Sequence, residues 1–321
     1  MGGPNSLFEV ESFLKNMFND PLILGIKNNF ARSMLAKFIT SRRLEESKAN
    51  YQAIGGKSPL SAHTFALTER LNELGEDLGN ELGEKSYYTY AMRYTPPFAI
   101  DVLRDLKDKG FSSICLFSLY PQFSYSTTYS SFLDVQEALK KLDYTPSLSY
   151  VEHYPTHEGY IACIIKRIKE ALGDDGAEDF TLLLSAHSLP QSRIDSGDPY
   201  QKQCEANAKA LESALAREGL HFKHIKLCYQ SKVGRMKWIG PSASEMIKAH
   251  RQDKLLIFPL SFSIDNSETD FELSLLYAKL AKSLNVPAYR VCKCFNAMGD
   301  FARTITQLVK ISTPTQEFYD V

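Results

Sequence analysis

Glycine-rich phosphate fingerprints are missing from this chain. Neither GxGxxG nor GxxxxGK[ST] follows any apolar run that reads as a strand. That removes the simplest signs of a dinucleotide or P-loop enzyme. Paired CxxC motifs are missing too. The six cysteines, Cys115, Cys163, Cys204, Cys228, Cys292 and Cys294, are scattered over 321 residues. This is no disulfide framework, and a reducing cytoplasm is the expected setting. Cys292 and Cys294 share the segment VCKCF, read as a strand, but two thiols do not complete a zinc or iron–sulfur site. The formal charge of −1 carries no basic excess, which argues against a nucleic-acid partner. No run has the length and apolarity of a membrane span, and no signal-peptide core is visible. Tryptophan occurs once, at Trp238.

What is present is an ordinary globular mixture with many aromatics, 12% of residues, which suits a flat apolar ligand as well as a core. Length predicts about two domains at ~150 residues each. In the second half, apolar runs and helical patterns alternate. Strands are expected at 180–187, 224–231, 254–262 and 288–295. Between them lie a helix after Asp198, a short helix capped by Ser242 and Glu245, one from about 267 to 283, and a last one near 299–312. The first half shows the same rhythm. Strands are expected at 87–94, 112–121 and 148–153, with a helix burying Leu133, Ala138, Leu139 and Leu142 before the third. Residues 71–86, acidic and glycine-rich, read as a solvated connection. Strict alternation implies parallel strands with helices on both faces.

The opening MGGPNSLFEVESFLKNMF resembles a strand-to-helix turn. Gly-Gly-Pro makes the turn, Ser6 and Glu9 a capping box, and Leu7, Val10, Leu14, Met17 and Phe18 an apolar stripe. No strand precedes it, so the natural start is expected upstream and the first sheet is expected to lack a central strand.

Chemistry-bearing side chains gather at predicted strand ends: Arg93 and Tyr94, Tyr120, and His187 in FTLLLSAHSLP. Pro190 cannot continue a sheet ladder, so His187 stands where a strand empties into a loop, the edge at which open parallel sheets bind ligands. In SFSIDNSETDFEL, Asp265 and Glu268 open a helix, and Glu272 follows at i+4. Helix capping accounts for one or two of these acids. A file of carboxylates would also lead protons outward. The remaining histidines are weaker. Pro155 separates His153 from His157. His221 and His224 straddle a strand start and read as surface, and His63 and His250 fall in helical context with no evident partner.

With these residues in view, the whole chain resembles the ferrochelatases. The motifs are MGGP, RRLEESKANYQAIGGKSPL (42–60), AMRYTPP (91–97), YPQFSYSTT (120–128), SAHSLP with GDPY (185–200), YQSKVGRMKWIGPS (229–242) and DNSETDFEL (265–273). The resemblance implies an α/β fold: two Rossmann-like doubly wound parallel-sheet domains, 1–152 and 153–298, flanking a porphyrin cleft, with the helix of 299–321 packing back on the first. It implies insertion of ferrous iron into protoporphyrin IX. His187 and Glu268 would be catalytic and metal-contacting. Met1, Arg43, Tyr51, Ser58, Arg93, Tyr94, Trp238 and Phe262 would bind the porphyrin. Glu268, Glu272 and Asp265 would relay protons. Two pyrrole N–H protons must leave as Fe²⁺ enters, and an imidazole suits that transfer near neutral pH. Iron is a substrate here, and neither a cofactor nor an iron–sulfur cluster is expected. In relatives the segment corresponding to 18–40 lies against membrane, so peripheral contact with the inner face is expected of an otherwise cytoplasmic protein.

This sequence departs from the family pattern at three places. Asn266 stands where histidine is frequent, Leu276 ends the acidic ladder, and Arg235 replaces a frequent proline. The alternatives are coproporphyrin ferrochelatase or another metal chelatase of the same type, and, in a different class, a non-catalytic porphyrin or haem carrier.

Overall fold

A computed structural model describes residues 1–82, 86–232, 234 and 236–315. Arg235, noted above, lies outside the described residues. The chain divides into two units. Unit 1 holds Met1–Ser118, Ser124–Glu152 and the segment from Ala297 onward; unit 2 holds Leu119–Phe123 and His153–Asn296.

Unit 1 begins with α1 (Val10–Phe18), α2 (Pro21–Leu24), α3 (Asn29–Ala53), α4 (Leu60–Leu82) and α5 (Ala99–Asp108), then β1 (Ser113–Phe117), α6 (Ser130–Lys141) and β2 (Ser147–Val151). Unit 2 follows with α7 (Glu158–Leu172), β3 (Phe180–His187), α8 (Gln191–Asp195), α9 (Tyr200–Arg217), β4 (His224–Gln230), α10 (Ala243–Ala249) and β5 (Lys254–Pro259). A π-helical stretch, Glu268–Leu276, runs into α11 (Tyr277–Ser283) and β6 (Tyr289–Val291). The chain returns to unit 1 as α12 (Gly299–Ile311), which packs on α4, and β7 (Pro314–Thr315).

The unit 2 sheet has the order β4-β3-β5-β6, all parallel. Its central strand β3 is buried along its whole length up to His187, as expected of a strand covered by helices on both faces. Leu183, Cys228, Ile247, Leu255, Ile257 and Leu273 form one core cluster around it. The Ser242–Glu245 capping box is present in full.

Unit 1 departs further from expectation. Its described sheet, β1-β2-β7, is parallel between β1 and β2 and antiparallel at β7. The strand expected at 87–94 is not formed. Its main chain finds other partners: Tyr88 N–H donates to Asn72 Oδ1 at 2.7 Å, and Asn72 Nδ2 donates to the Tyr88 carbonyl at 3.0 Å. A side-chain amide thus satisfies the backbone that a neighbouring strand would otherwise pair. Residues 71–82, expected as a loop, are helical in α4. A Cβ at Gly75 would lie 3.1 Å from the Ser86 carbonyl oxygen, so glycine there lets the segment 86–88 lie close against the helix. On α6, Phe132 is buried where Leu133, half-buried, was expected inward.

Smaller corrections concern caps and strand ends. Ser6 makes no side-chain cap; the Glu9 carboxylate instead accepts from Asn5 N–H at 2.9 Å. The expected strand 288–295 ends at Val291, because Cys294 N–H turns to the Asp265 carboxylate at 3.1 Å. Cys292 and Cys294 are buried core thiols just beyond it.

Candidate active site

His187 is the last residue of β3, and its main chain is held from both sides. Its N–H donates to Ser261 Oγ at 3.2 Å, and its carbonyl accepts from the Tyr200 hydroxyl at 2.9 Å. The half-buried imidazole has no ring-nitrogen hydrogen bond to any described residue. The edge of the ring pair it forms with Phe262 has centroids 6.4 Å apart at 84°. The SLP loop beyond it is zipped to the segment carrying Trp238. Ile239 N–H donates to the Leu189 carbonyl at 3.0 Å, and Gln191 N–H to the Lys237 carbonyl at 2.9 Å. His187, Phe262 and Trp238 therefore belong to one sheet edge of unit 2.

Glu268 opens the π-helical stretch. This is a turn type with i→i+5 hydrogen bonds that recurs at functional sites. Its main chain is capped by the side chain of Asn266. Asn266 Oδ1 accepts from Glu268 N–H at 2.8 Å, and its Nδ2 donates to the Ile264 carbonyl at 3.1 Å. Where the resemblance led to an expected histidine, an amide pins the main chain of Glu268. The Glu268 carboxylate accepts one hydrogen bond among described residues, from Ser267 Oγ at 3.0 Å. Burial, and then the Glu268 charge, push the Tyr120 hydroxyl above the usual phenol range. Tyr120 is thus a neighbour of this acid.

The other two carboxylates of the acidic file are more heavily occupied. Glu272 accepts from Ser231 N–H at 2.8 Å, from the Ser231 hydroxyl, from the Tyr277 hydroxyl at 2.8 Å and from Gln230 Nε2 at 3.4 Å. Asp265 accepts from Cys294 N–H at 3.1 Å and Asn296 Nδ2 at 2.7 Å, which ties the loop before the helix to the end of β6.

In unit 1 the expected porphyrin contacts are organised by a residue the sequence reading missed. Asp20 is 3% exposed. Its carboxylate accepts from Leu22 N–H at 2.7 Å, from the Tyr94 hydroxyl at 2.8 Å and from the Ser130 hydroxyl, and pairs with Arg93 Nη2 at 3.3 Å. Arg93 also reaches Asp134 at 3.0 Å, and its guanidinium lies 5.5 Å from the Tyr94 ring centroid. Burial, then the Asp20 charge, raise the Tyr94 hydroxyl above the phenol range. Tyr94 is buried and acts within this cluster. The Asp-Pro pair at the head of α2 was a visible cap signal, but nothing local ties it to residue 94.

The opening MGGP is threaded through the same region. Tyr94 N–H donates to the Met1 carbonyl at 2.9 Å, and Ser58 N–H to the Pro4 carbonyl at 2.8 Å. Gly2 has φ +92, and a Cβ there would come within 2.2 Å of Thr95 Oγ1. Only glycine fits. Buried Ser58 accepts from Leu60 N–H at 3.3 Å at the start of α4. Tyr51 is buried in the cluster of Phe13, Phe18 and Tyr94, with Met1 packed against it. The Arg43 guanidinium lies 5.9 Å from the Phe18 ring centroid and pairs with no carboxylate among described residues.

Comparison with known proteins decides the family. The ferrochelatase family model matches residues 1–313. The chain belongs to the ferrochelatase family. A ferrochelatase of Helicobacter hepaticus is 64% identical over 310 residues, 97% of each chain. One of Wolinella succinogenes is 49% identical over 309 residues, 96% of this chain and 95% of that one. Among solved structures, SirB from Bacillus subtilis with Fe³⁺ aligns with a TM-score of 0.52 at 11% identity. It covers 75% of this chain and 91% of that one, a likeness of fold alone. Ferrochelatases are enzymes whose substrates are iron and a porphyrin and whose product is haem, so the carrier reading falls behind the enzymatic one. Two residues escape sequence reasoning besides Asp20. Ser261 and Tyr200 fix the His187 main chain; they stand in the quoted segments SFSIDNSETDFEL and GDPY, but nothing local ties either to residue 187.

Proposed function

We propose that this chain inserts Fe²⁺ into protoporphyrin IX, with His187 and Glu268 carrying the chemistry and no further cofactor. The observation that supports it most is His187. Its imidazole stands at a strand exit with a locked main chain and ring nitrogens that no described residue engages. Such a ring is free to take a pyrrole proton or to touch the incoming ion. Metallation releases two protons for each Fe²⁺ that enters. One goes to the His187 ring and one to the Glu268 carboxylate, whose light hydrogen bonding leaves an oxygen available. Glu272 and Asp265 were expected to relay these protons. Their crowded partners favour a different part, holding the π-helical stretch and the β6 loop so that Glu268 keeps its place.

In unit 1, Arg43, which pairs with no carboxylate among described residues, suits a porphyrin carboxylate, and Arg93, with Nε on Ser130, Nη1 on Asp134 and Nη2 on Asp20, keeps one further N–H on each terminal nitrogen. Within unit 1, Tyr51 and Tyr94 share a buried cluster against which Met1 packs, with Ser58 tied to the opening segment; within unit 2, Phe262 and Trp238 offer apolar contact at the His187 edge. Bending a planar macrocycle exposes a nitrogen lone pair, and strain of this kind is worth ~1–5 kcal/mol. Peripheral membrane contact through residues 18–40 is supported by Phe30, Met34 and Phe38, which are 78%, 55% and 57% exposed along α3 beside Lys27, Lys37 and Arg42. Among described residues no helix is long and apolar enough to cross a membrane.

The test is anaerobic metallation of protoporphyrin IX followed by absorbance. His187→Ala is expected to lower turnover about 10²–10⁴-fold and Glu268→Gln at least tenfold, with porphyrin binding kept. Porphyrin binding without turnover in the unsubstituted chain would overturn the reading, as would full activity in His187→Ala.

A further inference from the structure

A second cluster of metal-ligating side chains lies at the other edge of the unit 2 sheet. His224 begins β4, paired in register with Thr181 of β3, and Asp253 immediately precedes β5. His250 follows α10. Six residue steps along β3 separate this edge from His187, about 20 Å at ~3.3 Å per residue. From sequence His224 reads as surface and His250 has no evident partner; the fold gives each the other. The sheet brings them together because parallel strands align their starts as well as their ends.

One ligand atom from each of His224, His250 and Asp253 lies within 4.8 Å of the others. The two rings have centroids 5.1 Å apart, tilted by 55°. His250 Nδ1 is 3.1 Å from Asp253 Oδ2. Two adjacent donors on an ion with bonds of about 2.0–2.2 Å stand roughly 3 Å apart, so an ion can replace the proton between these two atoms. His224, exposed at a strand start, closes the remaining gap by side-chain rotation. Among described residues, neither the second ring nitrogen of His250 nor either nitrogen of His224 has a hydrogen-bond partner.

The groups facing Asp253 from every side are these. Lys223 Nζ donates to Oδ1 at 2.5 Å, and Thr181 Oγ1 donates to Oδ2 at 2.9 Å. Burial alone would raise this carboxyl, but Lys223, Thr181 and His250 outweigh it and hold it at about 2. The buried acid is therefore an anion beneath two imidazoles. Lys223 is the competing cation, and it is half exposed. Two imidazoles and one carboxylate are the donor set of borderline first-row divalent ions, not of Mg²⁺ or Ca²⁺.

We propose that His224, His250 and Asp253 form a binding site for a borderline divalent cation, Zn²⁺ or Co²⁺ in kind, that ties the start of β4 to the turn before β5. A bound ion stabilises unit 2 by mass action. At one hundred times its dissociation constant it multiplies the folded-to-unfolded ratio about a hundredfold.

The experiment uses the full chain carrying His187→Ala and Glu268→Gln, which removes the other donor set, and titrates it with Co²⁺ while following the visible d–d bands. One Co²⁺ per chain is expected, with a rise in the thermal midpoint. Adding His224→Ala should weaken binding at least tenfold. Because His224 is exposed, that variant keeps the fold, and circular dichroism verifies it. His250→Ala should do the same, and Lys223→Gln should tighten binding severalfold by removing the rival charge. Absence of Co²⁺ binding to the doubly substituted chain, or binding indifferent to His224→Ala, overturns the proposal.

Discussion

Unit 1 and unit 2 hold the side chains proposed for function in opposite ways. In unit 2, four parallel strands and an apolar core present His187 at a strand exit, and only its main chain is fastened. In unit 1, Arg93 is fastened through its side chain, by the buried carboxylate of Asp20 and by Asp134. An imidazole proposed as base or metal contact needs open ring nitrogens, and backbone bonds are support that leaves them open. A fixed cation meant for one orientation needs partners on the guanidinium itself, so its support is ionic and buried. The difference predicts that unit 1 is vulnerable to the loss of one polar residue, whereas unit 2 is vulnerable to the loss of apolar volume.

The sharpest way to break the contrast is Asp20→Ala. Removing one partner of a buried pair costs about 3–5 kcal/mol, and here two hydroxyls also lose their acceptor. Chemical denaturation of the full chain should show that loss; a change under about 1 kcal/mol would show that Asp134 alone suffices. Next in size is Leu183→Ala in the centre of β3, where a large-to-small change costs about 2–5 kcal/mol through the cavity left behind. The same denaturation curves should show it with Arg93 chemistry untouched.

Asn266→Ala tests how Glu268 is held. Loss of the cap costs about 0.5–2 kcal/mol, and iron insertion should fall while porphyrin binding stays. Asn266→Asp, which can still accept from Glu268 N–H, should recover most of the turnover. If Asn266→Ala leaves turnover intact, the cap does not position the acid. The smallest effect concerns acid. The Asp253 carboxyl is lowered from 3.8 to about 2 in the folded chain. A depressed carboxyl contributes stability above its unfolded value and loses it as pH falls toward 2, so the window is pH 4 to 2. The half-exposed Lys223 screens part of this, leaving roughly 1 kcal/mol. Denaturation midpoints at pH 6 and pH 2.5 should converge for Asp253→Asn relative to the unsubstituted chain.

Much of this was legible in the residues. The strand at 180–187 was readable because a run buried on both faces needs no alternation, and Pro190 marks its end. The Ser242–Glu245 box and the apolar stripe of α1 were readable because both are local patterns. Misreadings came where a backbone had distant alternatives. The run 87–94 has strand composition, but its backbone groups go to scattered partners: Tyr88 to the side chain of Asn72 sixteen residues earlier, Met92 N–H to Pro97 and Tyr94 N–H to Met1. The stretch 71–82 has loop composition, yet it is helix, with Gly75 placed for close approach of the chain at 86–88.

By itself, then, the order of residues determined the alternation of elements, the family and the positions of His187 and Glu268, since these rest on periodicity and on long contiguous motifs. Tertiary structure alone decided which distant polar atoms meet: Asp20 with Arg93 and Tyr94, Ser261 with the main chain of His187, and His224 with His250 and Asp253. Hydrogen bonds and ion pairs act over about 3 Å in space and carry no period along the chain, so no spacing in the sequence announces them.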